Sequence, residues 1–206
     1  GGIKMNKKIV AFAAFLVLLV GVGYAVTDAE TLKKQKFNPI SSYHEIAKSK
    51  SNLIEYKNKV EEKLKELNNE ASSEKEVFVT LTFTKPLNEG ELANLVSKYN
   101  IKVDQIKGRA IEKGTGLKAT FGLKPVEGQL IDKIALENIL SQNEAVFKGF
   151  IEAVVVIKNK DLQELKNEKL VYLADPSADE HFVSNPKHDS MPGVYWELEK
   201  YNLVAN

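Results

Sequence analysis

The 206-residue chain contains no cysteine, and that absence removes disulfides, thiolate metal sites, a cysteine nucleophile and a lipid-modified cysteine anchor together. Arginine is nearly absent as well. Arg109 is the single one, so the bidentate guanidinium clamps that hold phosphate or carboxylate ligands are all but missing. Nor does one sign of charge dominate: 29 basic residues face 28 acidic ones, and setting aside Lys4, Lys7 and Lys8 leaves 26 against 28, a net charge of about −2. No basic footprint for nucleic acid results. Histidine is scarce, and a hydrolytic triad or zinc site would have to draw on His44, His181 or His188. No glycine-rich turn leads directly into a helix, so Gly114 and Gly116 belong to a hairpin and not to a phosphate loop.

What is present first is a hydrophobic leader. Asn6-Lys7-Lys8 forms a short positive segment, residues 9–22 are apolar apart from Gly21, and Gly23-Tyr24-Ala25 sets small residues at the spacing of a signal-peptide cleavage site, with Ala25 last. Residues 1–4 read as translated upstream sequence and Met5 as the initiator. Residues 9–26 also reach the lower length for a membrane span, so an uncleaved anchor stays open beside cleavage. Either way the remainder is expected to be extracytoplasmic, secreted or held at the outer face of the cytoplasmic membrane. An exported chain of this size without disulfides is the habit of a bacterial cell.

Residues 26–75 are expected to form a polar linker and an amphipathic helix. Ser42-Tyr43-His44-Glu45 has the form of a capping box that opens the helix. Ile46, Leu53, Val60 and Leu67 recur every seven residues as its apolar stripe. Residues 76–206 are expected to be an α+β domain. Val77, Val79, Leu81 and Phe83 alternate with Phe78, Thr80 and Thr82 as a half-buried strand that Pro86 should end. Asn88 and Glu91 then make a capping box, with Leu87 stapled on Leu92. A strand over residues 101–111 slips near Asp104, a hairpin follows, and residues 128–143 carry Leu130, Ile131, Ile134, Ala135 and Ile139 at the spacing of one buried helix face. Residues 150–157 are a dense β-branched run of the kind found in a covered central strand. A short helix with Leu162 and Leu165 and a last strand over residues 170–174 complete the order β-α-β-β-α-β-α-β. That order predicts an antiparallel-rich, ferredoxin-like sheet with helices on one face, preceded by the hydrophobic and amphipathic helices.

Residues 153–175 read Ala-Val-Val-Val-Ile-Lys-Asn-Lys-Asp-Leu-Gln-Glu-Leu-Lys-Asn-Glu-Lys-Leu-Val-Tyr-Leu-Ala-Asp. This stretch resembles the closing half of the subtilisin-propeptide family of peptidase inhibitors, in which a strand, a short Leu-x-x-Leu helix and a final strand ending in an acidic residue complete a small βαββαβ unit. The resemblance implies a module that docks its sheet on a protease and lays its C-terminal tail in the active-site cleft. Residues 117–143 would then be an insertion, and the segment after Asp175 is longer than the family pattern asks for.

Candidate chemistry is sparse. His181 and His188 stand beside Asp179, Glu180 and Asp189, a set able in principle to hold a divalent metal but with no helical or ribbon ligand spacing. Asp104, Glu112, Asp132, Glu137 and Glu152 are not paired for acid–base work. Arg109, the lone arginine in a strand, could hold a carboxylate or lie on the surface against Glu112. Tyr195 and Trp196, in a terminal helix opened by Pro192, are of the types that anchor partners and equally of the types that dock a helix over a sheet. The expected function is an exported, non-catalytic binding or interaction module at the bacterial envelope. Its partner would be another protein or a cell-wall component, with the membrane reached through residues 9–26 if these are uncleaved; no nucleic acid and no cofactor are expected. The alternatives are a propeptide-like protease inhibitor or folding assistant and, third, a hydrolase or metal-dependent enzyme using His181 and His188.

Overall fold

The computed structural model describes residues 38–186 and 193–205. The hydrophobic leader, the cleavage expected at Ala25, the proline expected to open the last helix and His188 lie outside the described residues. Among the described residues no helix is long and apolar enough to cross a membrane.

The chain is α+β. Its elements run α1 (Pro39–Ile46), α2 (Lys50–Glu70), β1 (Glu76–Leu87), α3 (Glu89–Lys98), β2 (Lys102–Glu112), β3 (Lys118–Leu123), α4 (Lys133–Gln142), β4 (Ala145–Lys158), α5 (Asn159–Leu165), β5 (Val171–Asp175) and α6 (Tyr195–Lys200). The five strands form one sheet in the order β3-β2-β4-β1-β5, and every neighbouring pair is antiparallel.

Alternation along β1 decides how the sheet is buried. Val77, Val79, Leu81 and Phe83 are each no more than 1% exposed. Val79 pairs with Val155 and Leu81 with Ala153, which in turn pairs with Ile106, so one row of side chains crosses three strands on one face. Leu92 and Leu95 of α3, Leu162 and Leu165 of α5, and Val60, Leu64 and Leu67 of α2 join that row in a single cluster. Each such fully buried side chain contributes roughly 1.5–3 kcal/mol of transfer free energy. β4 lies between β2 and β1, and residues 149–155 are buried without a break, as a strand covered on both faces requires.

The opposite row carries Thr82, Glu152 and Lys107, which pair across β1, β4 and β2, and next to them Arg109 with Thr120 across β2 and β3. The C-terminal helix α6 contacts this row: the Tyr195 N–H donates to Glu152 Oε1 at 3.2 Å and Trp196 Nε1 to Thr120 Oγ1 at 2.6 Å. The helices therefore do not all share one face. Polar side chains in the middle of a sheet cannot be left dry without partners, and α6 supplies them.

Three local expectations are corrected. The helix expected to open at Ser42 starts at Pro39, a residue suited to a first helical turn, and stops at Ile46; a second helix restarts after Ser49, whose hydroxyl accepts the Asn52 N–H at 3.2 Å. Pro86 does not end β1, which continues to Leu87; it sits in the irregular stretch between Thr82 and Leu87 where the ladder with β4 is interrupted, so its missing N–H removes no ladder bond. Gly149 lies opposite that irregularity at φ +136°, and a Cβ there would meet Pro86 Cβ at 2.7 Å. The helix expected over residues 128–143 is confined to α4 by the N-cap Asp132. Its Ala135, Leu136 and Ile139 turn inward, which rotates Ile134 to 74% exposure.

Candidate functional site

The sheet's second face and the C-terminal segment enclose a cluster of charge. Arg109 is buried at the β2 end nearest α6, and its guanidinium lies 2.7 Å from Glu199 Oε1, with side-chain exposures of 6% and 5%. Arg109 Nη2 approaches off the hydrogen-bond direction, so it makes an ion pair with Glu199 Oε1 without a hydrogen bond, and the buried Arg109 Nε likewise has no hydrogen-bond partner. Glu199 Oε2 accepts from Lys118 Nζ at 2.8 Å. Over these charges lies the indole of Trp196, 4.8 Å from the guanidinium carbon and 5.4 Å from the Lys118 ammonium, so both cations face the ring. Deeper in the sheet Glu152 is 1% exposed; it receives the Tyr195 N–H and lies 3.3 Å from Lys107 Nζ. Gly193 passes so close to the Glu152 carboxylate that a Cβ there would force the carboxylate to move. Tyr195 is fully buried and its hydroxyl donates to the Ala205 carbonyl. Burial pushes its pKa up to about 12 against the opposing pull of Arg109, with Glu199 adding to the rise.

A second group forms where α2 meets the segment after β5. His181 is held by its N–H, donated to Asp179 Oδ1 at 2.9 Å, while Asp179 Oδ2 accepts the Phe78 N–H at 2.7 Å. The imidazole faces Glu66 and Glu70 of α2. Above it in the same interface Tyr56 donates to the buried carboxylate of Asp175, whose other oxygen takes the Ser177 N–H at 2.9 Å. A shallow cleft of about 550 Å³ between α4 and β4 is lined by Lys113, Glu137, Leu140, Ser141, Glu144 and Ala145, away from both groups.

The structure thus brings Arg109, Tyr195 and Trp196 together; among the described residues His181 groups with Glu66 and Glu70, while both Asp179 oxygens accept backbone N–H groups. Glu199, Glu152, Glu66 and Glu70 were not visible as partners in the sequence. Only the position of Arg109, a lone arginine in a strand otherwise apolar on one side, hinted at a carboxylate opposite. Comparison of the chain with protein-family models, with curated proteins and with solved structures returns no match.

Proposed function

We propose that the protein is an exported, non-catalytic binding module at the outer side of a bacterial envelope, with another protein or a cell-wall component as partner. The disposition of Trp196 carries this reading. Its helix neighbours Tyr195 and Leu198 are 0% and 1% exposed, yet the indole stays partly exposed, braced by Arg109 and by Lys118, itself half in solvent. A rigid aromatic ring fixed by cations with part of its surface open is suited to anchor a partner. The test is capture by the purified chain from envelope extracts. A saturable partner should be retained by wild type and lost by Trp196→Ala, with an unchanged far-ultraviolet spectrum; undiminished capture by the variant overturns the reading.

One observation favours a second reading, that of a propeptide-like inhibitor or folding assistant. With β3 and α4 set aside, the remaining strands lie in the order β5-β1-β4-β2 and are joined as βαββαβ, the arrangement of a ferredoxin-like sheet. In this reading the chain's own residues 193–205 occupy the face that would meet a protease and must lift from it. Titration against a panel of subtilisin-like proteases tests it with the full chain and with a chain ending at residue 192; stoichiometric inhibition by neither disposes of it.

A further inference from the structure

Glu66 and Glu70 stand one turn apart at the end of α2, and His181 Nε2 lies 3.8 Å from Glu66 Oε1 and 3.4 Å from Glu70 Oε2. One ligand atom from each of the three lies within 4.8 Å of the others. We propose that Glu66, Glu70 and His181 bind a divalent cation of the zinc class, which clips α2 to the segment following β5. The site is separate from the Trp196 surface and does not depend on the function proposed for it.

The spacing is the first argument. Direct N–H···O bonds fall at about 2.7–3.2 Å, and both distances exceed that. A tetrahedral ion with bonds of about 2.0–2.2 Å to nitrogen and oxygen sets its ligand atoms roughly 3.3–3.5 Å apart, which is close to what His181 already makes with the two carboxylates. The glutamates are 50% and 60% exposed and free to close the remaining edge, while the imidazole, at 18%, is fixed.

Electrostatics gives the second argument. The last turn of α2 contains no basic residue. It instead sets two carboxylates against the negative end of the helix dipole and at i,i+4 to each other, both unfavourable arrangements. A dication between them offsets both, and both carboxylates are turned toward the His181 imidazole.

The third argument is preorganisation. The His181 backbone N–H is held by Asp179, and the ring stands edge-on to Phe182 with centroids 4.8 Å apart. Asp179 is in turn fixed to β1 through Phe78. The first contact pins the main chain that carries the imidazole and the second packs its ring, so His181 is placed before an ion arrives. One nitrogen with two oxygens suits zinc and its neighbours; calcium and magnesium ask for six or more oxygen ligands. The fourth position falls to water.

The experiment is zinc titration of the purified full chain by calorimetry, with thermal melts alongside. Wild type should bind one ion per chain and melt higher with zinc than without. His181→Ala and the double variant Glu66→Gln/Glu70→Gln should each weaken binding at least about tenfold and lose the zinc-dependent rise in melting temperature. The double variant removes the mutual repulsion of two half-exposed carboxylates and leaves polar amides facing His181, so it should fold as well as wild type. Absence of saturable zinc binding, equal affinity in both variants, or equal competition by calcium or magnesium overturns the proposal, as does a site lost in His188→Ala and kept in His181→Ala.

Discussion

Glu199 holds a carboxylate where only 5% of its side chain meets water, with Arg109 equally enclosed. Such a pair contributes little net stability over apolar residues of the same shape, yet breaking it from one side strands the other charge. Lys118 is 51% exposed and can rehydrate; Arg109 cannot. Glu199→Ala is therefore expected to destabilise by about 3–5 kcal/mol in urea unfolding, whereas Arg109→Met with Glu199→Leu should recover most of the loss. A cost under about 1 kcal/mol for the single variant would mean that the pair does not seat α6. Asp175 makes the opposite kind of demand. Burial raises its carboxyl pKa, outweighing the hydrogen bonds from Ser177 and Tyr56 and the nearby Lys63. Its contribution to stability is complete below the ordinary aspartate value of about 3.9 and is lost as pH rises through the raised folded value. Glu74, lowered to about 2 by hydrogen bonds from Lys158 and Lys160, and Glu91 and Glu168, also lowered by lysine partners, act in the other direction and are lost on acidification. Comparison with Asp175→Asn isolates the buried group, since the amide oxygen can keep the Ser177 N–H and the amide NH2 can donate to a Tyr56 hydroxyl that turns to accept. The stability of the variant relative to wild type should rise between about pH 4 and pH 8, and a difference constant over that range would exclude a raised Asp175.

The ends of helices show which contacts a sequence declares and which it hides. Asn88 and Glu91 close a capping box over α3 with bonds of 3.0 and 2.9 Å, and both partners lie within one turn of chain. Such a pattern is legible because capping chemistry is local. The same reasoning failed at Ser42, because any short serine-to-glutamate spacing fits a capping box while the actual start is set by Pro39 and the restart by Ser49. The other end of α2 is closed by a residue far away in sequence. Asn159, 2% exposed at the start of α5, donates to the Leu67 carbonyl at 3.2 Å and to the Ala71 carbonyl at 3.3 Å. The Leu67 carbonyl also takes the Ala71 N–H, so Asn159 adds a second donor there and supplies one at the cap residue itself, where helix carbonyls run short of partners; no glycine stands there to turn the chain back on them. Asn159→Leu, which fits the apolar surroundings but removes the donor, is expected to cost about 1–3 kcal/mol, measured by the urea midpoint. The frayed end should also show as faster hydrogen exchange at the last amides of α2, with those of α3 unchanged; equal protection at both helices would count against the cap.

Across the whole molecule, periodicity revealed one face of the sheet and was silent about the other. Val77, Val79, Leu81 and Phe83 declare their common side because apolar side chains need only exclusion from water, and the slip at Asp104 appears as pairing that passes from Val103 directly to Gln105. Glu152, Lys107 and Arg109 look like solvated charges when read along the chain. They become interior only because residues 193–205 return over them, a contact between distant segments that no local pattern encodes. That segment packs Val194 and Leu198 against Ile46 and Leu53, so it joins the N-terminal helices to the sheet. It also reaches β1, where the Ala205 N–H donates to the Thr84 carbonyl at 2.7 Å. Ending the chain at residue 192 removes the burial of Val194, Tyr195 and Leu198, each contributing roughly 1.5–3 kcal/mol, and uncovers Arg109 without Glu199. Against a typical total stability of about 5–15 kcal/mol, the shortened chain is expected to lose roughly 5 kcal/mol or more. Rehydration of Arg109 and Glu152 softens the loss but does not reverse it, because the apolar burial of Val194, Tyr195 and Leu198 goes with the segment. The expected record is a lowered urea midpoint with a decreased hydrogen-exchange protection of β4 and of the α1–α2 junction together, as one cooperative unit. A shortened chain that keeps the wild-type midpoint would show that the sheet is stable bare on that side, and that residues 193–205 rest on it without holding it.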